Sequence, residues 1–121
     1  MGMNSQEVAY GFGQLGSAYV DDTGAYTPPT GTVVVAITIL DDATKFALLT
    51  PDTSGYIDGT TGAAGTGAAA YIGTSAVVGA NGTNAEPIDT ATTFKAGITL
   101  VGRWTAVTLG AGSVVMYLGT A

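Results

Sequence analysis

The feature that most constrains the fold is an uncharged run at residues 32–40, in which nearly every side chain is β-branched or aliphatic. Branching at Cβ restricts a side chain in a helix but packs well on a pleated surface, so the run predicts a β-strand. Because apolar residues follow one another without polar alternation, we expect both faces of this strand to be buried. The run therefore predicts a central strand, which ends at Asp41 and Asp42.

Shorter segments on both sides of this strand continue the β pattern. Residues 25–27 predict a short edge strand that ends at Pro28 and Pro29, because proline cannot donate a backbone hydrogen bond to a neighbouring strand. Residues 44–49 predict a second full strand that returns to Pro51. Both segments favour a sheet over a helical fold.

The C-terminal third of the chain predicts a pair of strands. Residues 94–109 form the first, and Gly97 and Gly102 mark kinks or bulges within it. A short loop at residues 110–112 leads to a partner strand at residues 113–118. Together these two segments predict a C-terminal β-hairpin.

The N-terminal residues 1–20 follow a different pattern, in which large apolar side chains are separated by glycine. Glycine costs a helix roughly 1 kcal/mol per residue, so we expect an extended arm that packs against a partner. With 121 residues the chain has the size of one domain. We therefore predict an all-β fold, a small single-domain β-sandwich or barrel at residues 21–121 with the arm at its N-terminus. The large side chains of the arm are Tyr10, Phe12, Leu15 and Tyr19.

The composition excludes much of enzyme chemistry. The chain contains no histidine and no cysteine, so it has no imidazole base, thiolate nucleophile, disulfide or thiolate zinc site. Its nine acidic and three basic side chains give a net charge of -6, and three scattered cations cannot follow a phosphate backbone. We therefore expect a protein that is not an enzyme, with no cofactor, no metal site and no nucleic-acid partner.

Two patterns resemble known sites but lack the context that those sites need. Residues 11–16 match G-x-G-x-x-G, yet no strand precedes them, and Pro28 and Pro29 interrupt the helix that should follow. The aspartates fall mainly at predicted turns, where a carboxylate stabilises the backbone, and their spacing is not that of a calcium loop. An extended arm and surface turns explain both patterns.

Arg103 and Trp104 form the dipeptide with the clearest functional signal. An arginine beside the single tryptophan, close to a predicted glycine kink, is typical of an anchor in a protein interface. The alternative is an indole that closes the core, with the arginine at its edge, and the sequence leaves both open. Tyr117 on the predicted partner strand joins these two residues and the arm in the candidate interface.

The sequence also bears on location. The N-terminus has neither the basic region nor the apolar core of a signal peptide. The uncharged stretches at residues 59–85 and 104–121 are rich in small residues or broken by glycine, so we expect no membrane span. The lack of cysteine suits assembly in a reducing cytoplasm.

Three segments, at residues 13–19, 29–40 and 96–119, resemble segments of small structural proteins of marine tailed phages, cyanophages included. The resemblance lies in the local sequence of these segments and in their order along the chain. The resemblance implies a virion protein, made in the host cytoplasm, that decorates or cements the outer surface of the capsid by binding the major capsid protein. The acidic composition suits the outer surface better than the DNA-facing one. The three-fold positions of capsid lattices lead us to expect a homo-oligomer, specifically a trimer.

Two other functions fit the same sequence. Tyrosine, tryptophan and aspartate on Gly/Thr-rich loops can stack on sugars and hydrogen-bond to them, which indicates a glycan-binding or host-attachment module of a tail fibre. An internal tail or neck component would use the same β-rich chemistry.

Overall fold

The computed structural model describes residues 15–52, 72–74 and 87–121, and within these ranges it contains strands and turns but no helix. The strands pair antiparallel in one sheet that curls into a half-barrel. The predicted all-β fold is therefore confirmed. The strands are β1 (Ser17–Val20), β2 (Ala25–Tyr26), β3 (Thr32–Ile39), β4 (Lys45–Pro51), β5 (Thr99–Ala111) and β6 (Val114–Thr120).

β3 lies in the middle of the sheet, because β6 pairs with one of its edges and β5 with the other. Val34 faces Leu118 across the first edge and Trp104 across the second. The successive residues Ala36 and Ile37 point to opposite faces, and both are fully buried. The prediction of a central strand is thus confirmed, whereas burial on both faces holds only in part, because Val35 and Thr38 are half-buried on the side away from the core.

β5 changes neighbours halfway along its length. Its first half pairs with β3 and its second half with β4, and Trp104 stands at the change, opposite Val34 on one edge and Pro51 on the other. β2 continues along the edge that β3 leaves, where Tyr26 pairs with Val107. The register shifts in both ladders next to Trp104, and such bulges bend a strand. β5 therefore wraps around the core instead of crossing it.

Both ends of β5 reach the turn that joins β3 to β4. Before the strand, the N–H of Gly97 donates to the carbonyl of Ile39 at 2.8 Å. After the strand, Gly112 lies so close to Thr44 that a methyl group on this glycine would overlap the threonine. β5 therefore runs around the apolar interior, and both of its ends lie near the turn between β3 and β4.

The predicted C-terminal β-hairpin is wrong. In the described chain β5 and β6 form no ladder with each other, although only residues 112–113 separate them. Both strands pair antiparallel with β3, on its opposite edges. The bend in β5 explains this arrangement, because it returns Ala111 to the end of β3, where Val114 pairs with Ile39.

The first half of the predicted 94–109 strand also differs from the prediction. β5 begins only at Thr99, because Gly97 has a φ of 93° and turns the chain before it. Phe94 forms an isolated bridge with Thr44, and its ring packs edge-on against Phe46 with centroids 5.5 Å apart. Phe94 thus contributes to the core from outside the sheet.

Two predicted boundaries differ from the structure by a few residues, and the predicted bulge at Gly102 is present. β5 continues to Ala111 through most of the expected loop. The predicted arm at residues 1–20 contains β1, which pairs with β6, so the sheet begins before residue 21. Gly102 lies at a bulge as predicted, since Gly102 and Arg103 together face Val35.

The core lies on the inner face of the curled sheet, and every strand except the short β1 and β2 supplies a fully buried member. Trp104 and Phe46 are the largest of these side chains, and both have no exposed surface. Ala18, Val20 and Tyr26 pack against the core from β1 and β2. The buried set is Val34, Ile37, Ile39, Phe46, Leu49, Trp104, Val107, Leu109, Val114, Met116 and Leu118.

We expect Gly102→Ala to destabilise the fold by about 1–3 kcal/mol, because the added methyl group would lie 2.8 Å from Cζ2 of Trp104. Gly110→Ala on the same strand is the matched control. Its methyl group would come no closer than 3.6 Å to another atom, so its effect should stay within about 0.5 kcal/mol. Urea unfolding of both variants measures the difference, and equal stabilities would contradict the close packing of Gly102 on the indole.

Alkaline pH should destabilise the fold through Tyr26. Burial raises the pKa of the Tyr26 hydroxyl above its ordinary value of 10.0, so the folded chain holds this proton more tightly than the unfolded chain. The stability from Tyr26 is thus complete below pH 10 and is lost as pH rises through the raised folded-state pKa. Urea unfolding should show a steeper loss above about pH 10 for the natural chain than for Tyr26→Phe. Parallel curves would show that the hydroxyl titrates alike in both states.

Candidate interaction surface

The side of the sheet that faces away from the core carries a patch of exposed apolar and aromatic side chains. We call this patch the outer face and define it by Tyr19, Val35, Val101, Val115 and Tyr117. Tyr19 and Val101 are each 63% exposed, and the other three are half-buried. Contiguous exposed apolar surface of this kind marks sites that contact other molecules.

Strand register places one row of side chains across four strands of the outer face. Tyr19 on β1 lies opposite Val115 on β6, and Val115 lies opposite Thr38 on β3. Thr38 in turn lies opposite Thr99 on β5, and the two hydroxyl oxygens are 3.0 Å apart in a hydrogen bond. The row thus runs from an exposed ring to a pair of hydroxyl groups.

A second row lies beside the first. Tyr117 on β6 faces Ala36 on β3, and Ala36 faces Val101 on β5. Ala36 has no exposed surface, so its larger neighbours cover its methyl group. Next to this row Val35 fills the space over Gly119, because a methyl group on that glycine would meet Cγ1 of Val35 at 2.7 Å. The outer face is therefore a packed surface supported by the central strand.

Four of the described acidic side chains follow the ends of two strands of the sheet. Asp21 and Asp22 follow β1, and Asp41 and Asp42 follow β3. The C-terminal residues of β1 and β3 both pair with Val114, so these four carboxylates sit at the same end of the sheet. Within the described ranges the five residues that define the outer face are uncharged, and at its edge the Tyr19 hydroxyl donates to Oδ2 of Asp21 at 3.5 Å.

Arg103 borders the outer face, and Asp52 holds its side chain. Nε and Nη2 of the guanidinium donate to Oδ2 of Asp52 at 3.3 and 3.2 Å. The backbone N–H of Asp52 donates to the carbonyl of Arg103 at 2.8 Å. The carboxylate side chain is 5% exposed and the arginine 21%. The pair fixes the end of β4 to β5, so the guanidinium is engaged within the molecule.

The structure decides between the two alternatives for Trp104. Its side chain has no exposed surface and belongs to the core. The indole N–H donates to the carbonyl of Ile72 at 2.7 Å, which attaches residues 72–74 to the core. The expectation of Trp104 as a surface anchor is therefore corrected: the ring closes the core, with Arg103 at its edge.

The remaining predicted interface residues divide into three cases. Tyr19 and Tyr117 both lie on the outer face, on the neighbouring strands β1 and β6. Leu15 is half-exposed just before β1, whereas Tyr10 and Phe12 lie outside the described residues. The valines of the outer face could not be predicted from the sequence, because the alternation of faces becomes informative only when the strand register is known.

Backbone hydrogen bonds occupy most of the aspartates at the described turns. Oδ1 of Asp22 accepts from the N–H of Gly24, and Oδ1 of Asp41 accepts from the N–H of Ala43. Asp42 accepts from Ala96, which joins the β3–β4 turn to the segment before β5. The turn role that the sequence predicts is thus observed at Asp22 and Asp41. The described ranges contain no group of three or more acidic side chains arranged to hold a metal ion.

Comparison of the chain with models of protein families, with curated proteins and with solved structures returns no match. Over the described residues no helix has the length and hydropathy of a membrane span. The outer face is thus the structural feature from which a function can be inferred.

We expect Arg103→Met to destabilise the fold by about 1–3 kcal/mol, because it removes the guanidinium that donates to the nearly buried carboxylate of Asp52. Lys95→Met removes the same charge from an exposed position, so its effect should stay within about 0.5 kcal/mol. Thermal and urea unfolding compare the two variants. Equal effects would mean that the Arg103–Asp52 pair contributes no more than a surface charge.

Proposed function

We propose that this chain is a structural protein of a tailed-phage virion that binds the major capsid protein on the outer surface of the capsid, as a homo-oligomer. The observation that carries the proposal is the outer face, a packed apolar surface with two exposed or half-exposed tyrosines, Tyr19 and Tyr117. Aromatic side chains are enriched in protein interfaces because they bury a large area with few rotatable bonds.

The position of the outer face supports contact with a large, flat partner. It spans β1, β6, β3 and β5, and the core side chains beneath it hold these strands in place. A surface supported in this way loses little conformational entropy on binding. Repeated copies on a capsid lattice would add their weak individual contacts into firm attachment.

The charge distribution supports the outer side of the shell. Four carboxylates, those of Asp21, Asp22, Asp41 and Asp42, lie together at one end of the sheet. Negative charge of this kind is repelled by packaged DNA, so it favours a position outside the capsid. The acidic end would point to solvent while the outer face contacts the capsid.

Cosedimentation with capsids assembled from the major capsid protein tests the proposal. The natural chain should sediment with the capsids and saturate at a fixed number of copies. The double variant Tyr19→Ser, Tyr117→Ser should bind at least about tenfold more weakly, because it removes both rings from the outer face.

Leu40→Ser is the matched control for this experiment. Leu40 is a comparably exposed apolar residue, but it lies beyond the end of β3, outside the outer face. The control should bind as the natural chain does. A natural chain that stays in the supernatant, or a double variant that binds as well as the control, would contradict the proposal.

The row of hydroxyl groups favours a second candidate, a glycan-binding or host-attachment module of a tail fibre. The hydrogen-bonded pair of Thr38 and Thr99 lies in the same row as the exposed ring of Tyr19. A glycan site combines an aromatic ring that stacks on the sugar with hydroxyl groups that hydrogen-bond to the sugar. Saturable binding on a glycan array, together with no capsid binding, would favour this function.

A further inference from the structure

The edges of the sheet at β4 and at β1 differ in how they are covered. At the β4 edge, the N–H and carbonyl of Leu49 both bond to Thr74, at 3.0 and 3.1 Å. Gly73 lies against the Leu49 carbonyl and Pro51 so closely that a methyl group there would come within 2.8 Å of each. Lys45 and register shifts further interrupt this edge. These are the devices by which proteins prevent an edge strand from pairing with another chain.

The β1 edge has none of these devices among the described residues. β1 is regular over Ser17–Val20 and contains neither proline nor a charged residue. Its exposed ring, Tyr19, and the preceding Leu15 leave large apolar surface in water beside the edge. An open edge of this kind is a template for a further strand.

The register identifies which backbone groups point to the open edge. The N–H of Leu118 donates to the carbonyl of Gly16 at 2.9 Å, so this pair is a hydrogen-bonded one. Hydrogen-bonded and non-bonded pairs alternate along an antiparallel ladder. Ala18 therefore bonds to β6, whereas the N–H and carbonyl groups of Ser17 and Tyr19 point away from β6.

We propose that the open edge of β1 binds the same edge of a second copy of this chain, antiparallel and around a two-fold axis at Ala18. This register places Ser17 of each copy opposite Tyr19 of the other, so the outward groups satisfy each other in two hydrogen-bonded pairs. The pattern is self-complementary, as a two-fold interface requires. The sheets of the two copies then continue into one, and so do their outer faces.

Charge supports the antiparallel orientation. In the proposed register Asp21 of each copy lies opposite Leu15 of the other, so the acidic turns stand at opposite corners of the pair. A parallel arrangement would place the two Asp21 side chains next to each other, and like charges directly opposite destabilise a sheet. In this register three residues of β1 in each copy, 17–19, lie opposite β1 of the other copy, so the interface is small and the pair depends on concentration.

This inference deepens one part of the proposed function, the homo-oligomer, and rests on it only there. It gives the oligomer two-fold symmetry, whereas the expectation of a trimer came from capsid lattices. Its test uses the purified full chain without capsids. Failure of edge pairing and failure of capsid binding can therefore be told apart.

Sedimentation velocity over a range from micromolar to about millimolar chain tests the proposal. The natural chain of 11.9 kDa should pass from monomer to dimer as its concentration rises. Ser17→Pro removes an outward N–H and spares the β6 ladder, so it should raise the midpoint concentration at least about tenfold. Tyr19→Lys, which places two cations across the pair, should act in the same direction without depending on a proline.

Leu48→Lys is the control, because it adds the same charge at an exposed apolar residue outside the outer face, on β4 rather than at the β1 edge. It should dimerise as the natural chain does. A chain that stays monomeric up to about millimolar, a trimer, or a dimer that only Leu48→Lys weakens would each overturn the proposal. Circular dichroism of every variant should match the natural chain, and if Ser17→Pro is unfolded, Tyr19→Lys decides the result.

Discussion

The fold depends on the packing of Trp104 at the point where β5 bends. Its backbone pairs with β3 on one edge and with β4 on the other, so two parts of the sheet meet at this residue. Its ring fills the inside of the bend, lies on Gly102, and bonds through the indole N–H to Ile72. A smaller residue would leave a cavity there, and a larger neighbour than glycine would displace the ring. The packing of this ring therefore contributes to the bend of β5 and to the closure of the core, and it attaches residues 72–74 together with the hydrogen bonds between Leu49 and Thr74.

The bend of β5 also determines which face of the sheet is buried in the core and which face is available to a partner. Because β5 curls around one side of the sheet, the inner face of every strand is covered, and the apolar side chains on the other side remain in water. The pattern of β3 shows the consequence: Ile37 faces the core, while its neighbour Ala36 is covered by the larger side chains of the outer face. A chain with few charged residues can therefore keep a stable interior and still present an apolar surface to a partner.

Sequence analysis identified the strands that local chemistry determines and missed what distant pairing determines. The run at residues 32–40 is β-branched except at Ala36 and Leu40, which favours a central strand. The turns at Asp22 and Asp41 follow from carboxylates that accept hydrogen bonds from nearby N–H groups. The hairpin failed because a short link between two strands favours local pairing, whereas the bend at Trp104 makes pairing with β3 possible on both edges. Trp104 itself stayed ambiguous, since cores and interfaces both use tryptophan. Tyr19 and Tyr117 were found as single aromatic residues, but only the register places them on neighbouring strands of one face.

The edges at β1 and β4 are unequally protected, which bears on how such a surface could be used. A chain that needed only to stay monomeric would gain by covering the β1 edge as well, as Thr74 and Gly73 cover the edge at β4. At β1 the strand is instead regular, its outward groups are arranged symmetrically about Ala18, and the acidic turn that follows is offset from that centre. When two copies pair through β1, their sheets join and the outer face that a partner can contact doubles in area. Pairing of copies would therefore strengthen the binding of a larger partner. The same short strand therefore connects the association of copies with the binding of a larger partner.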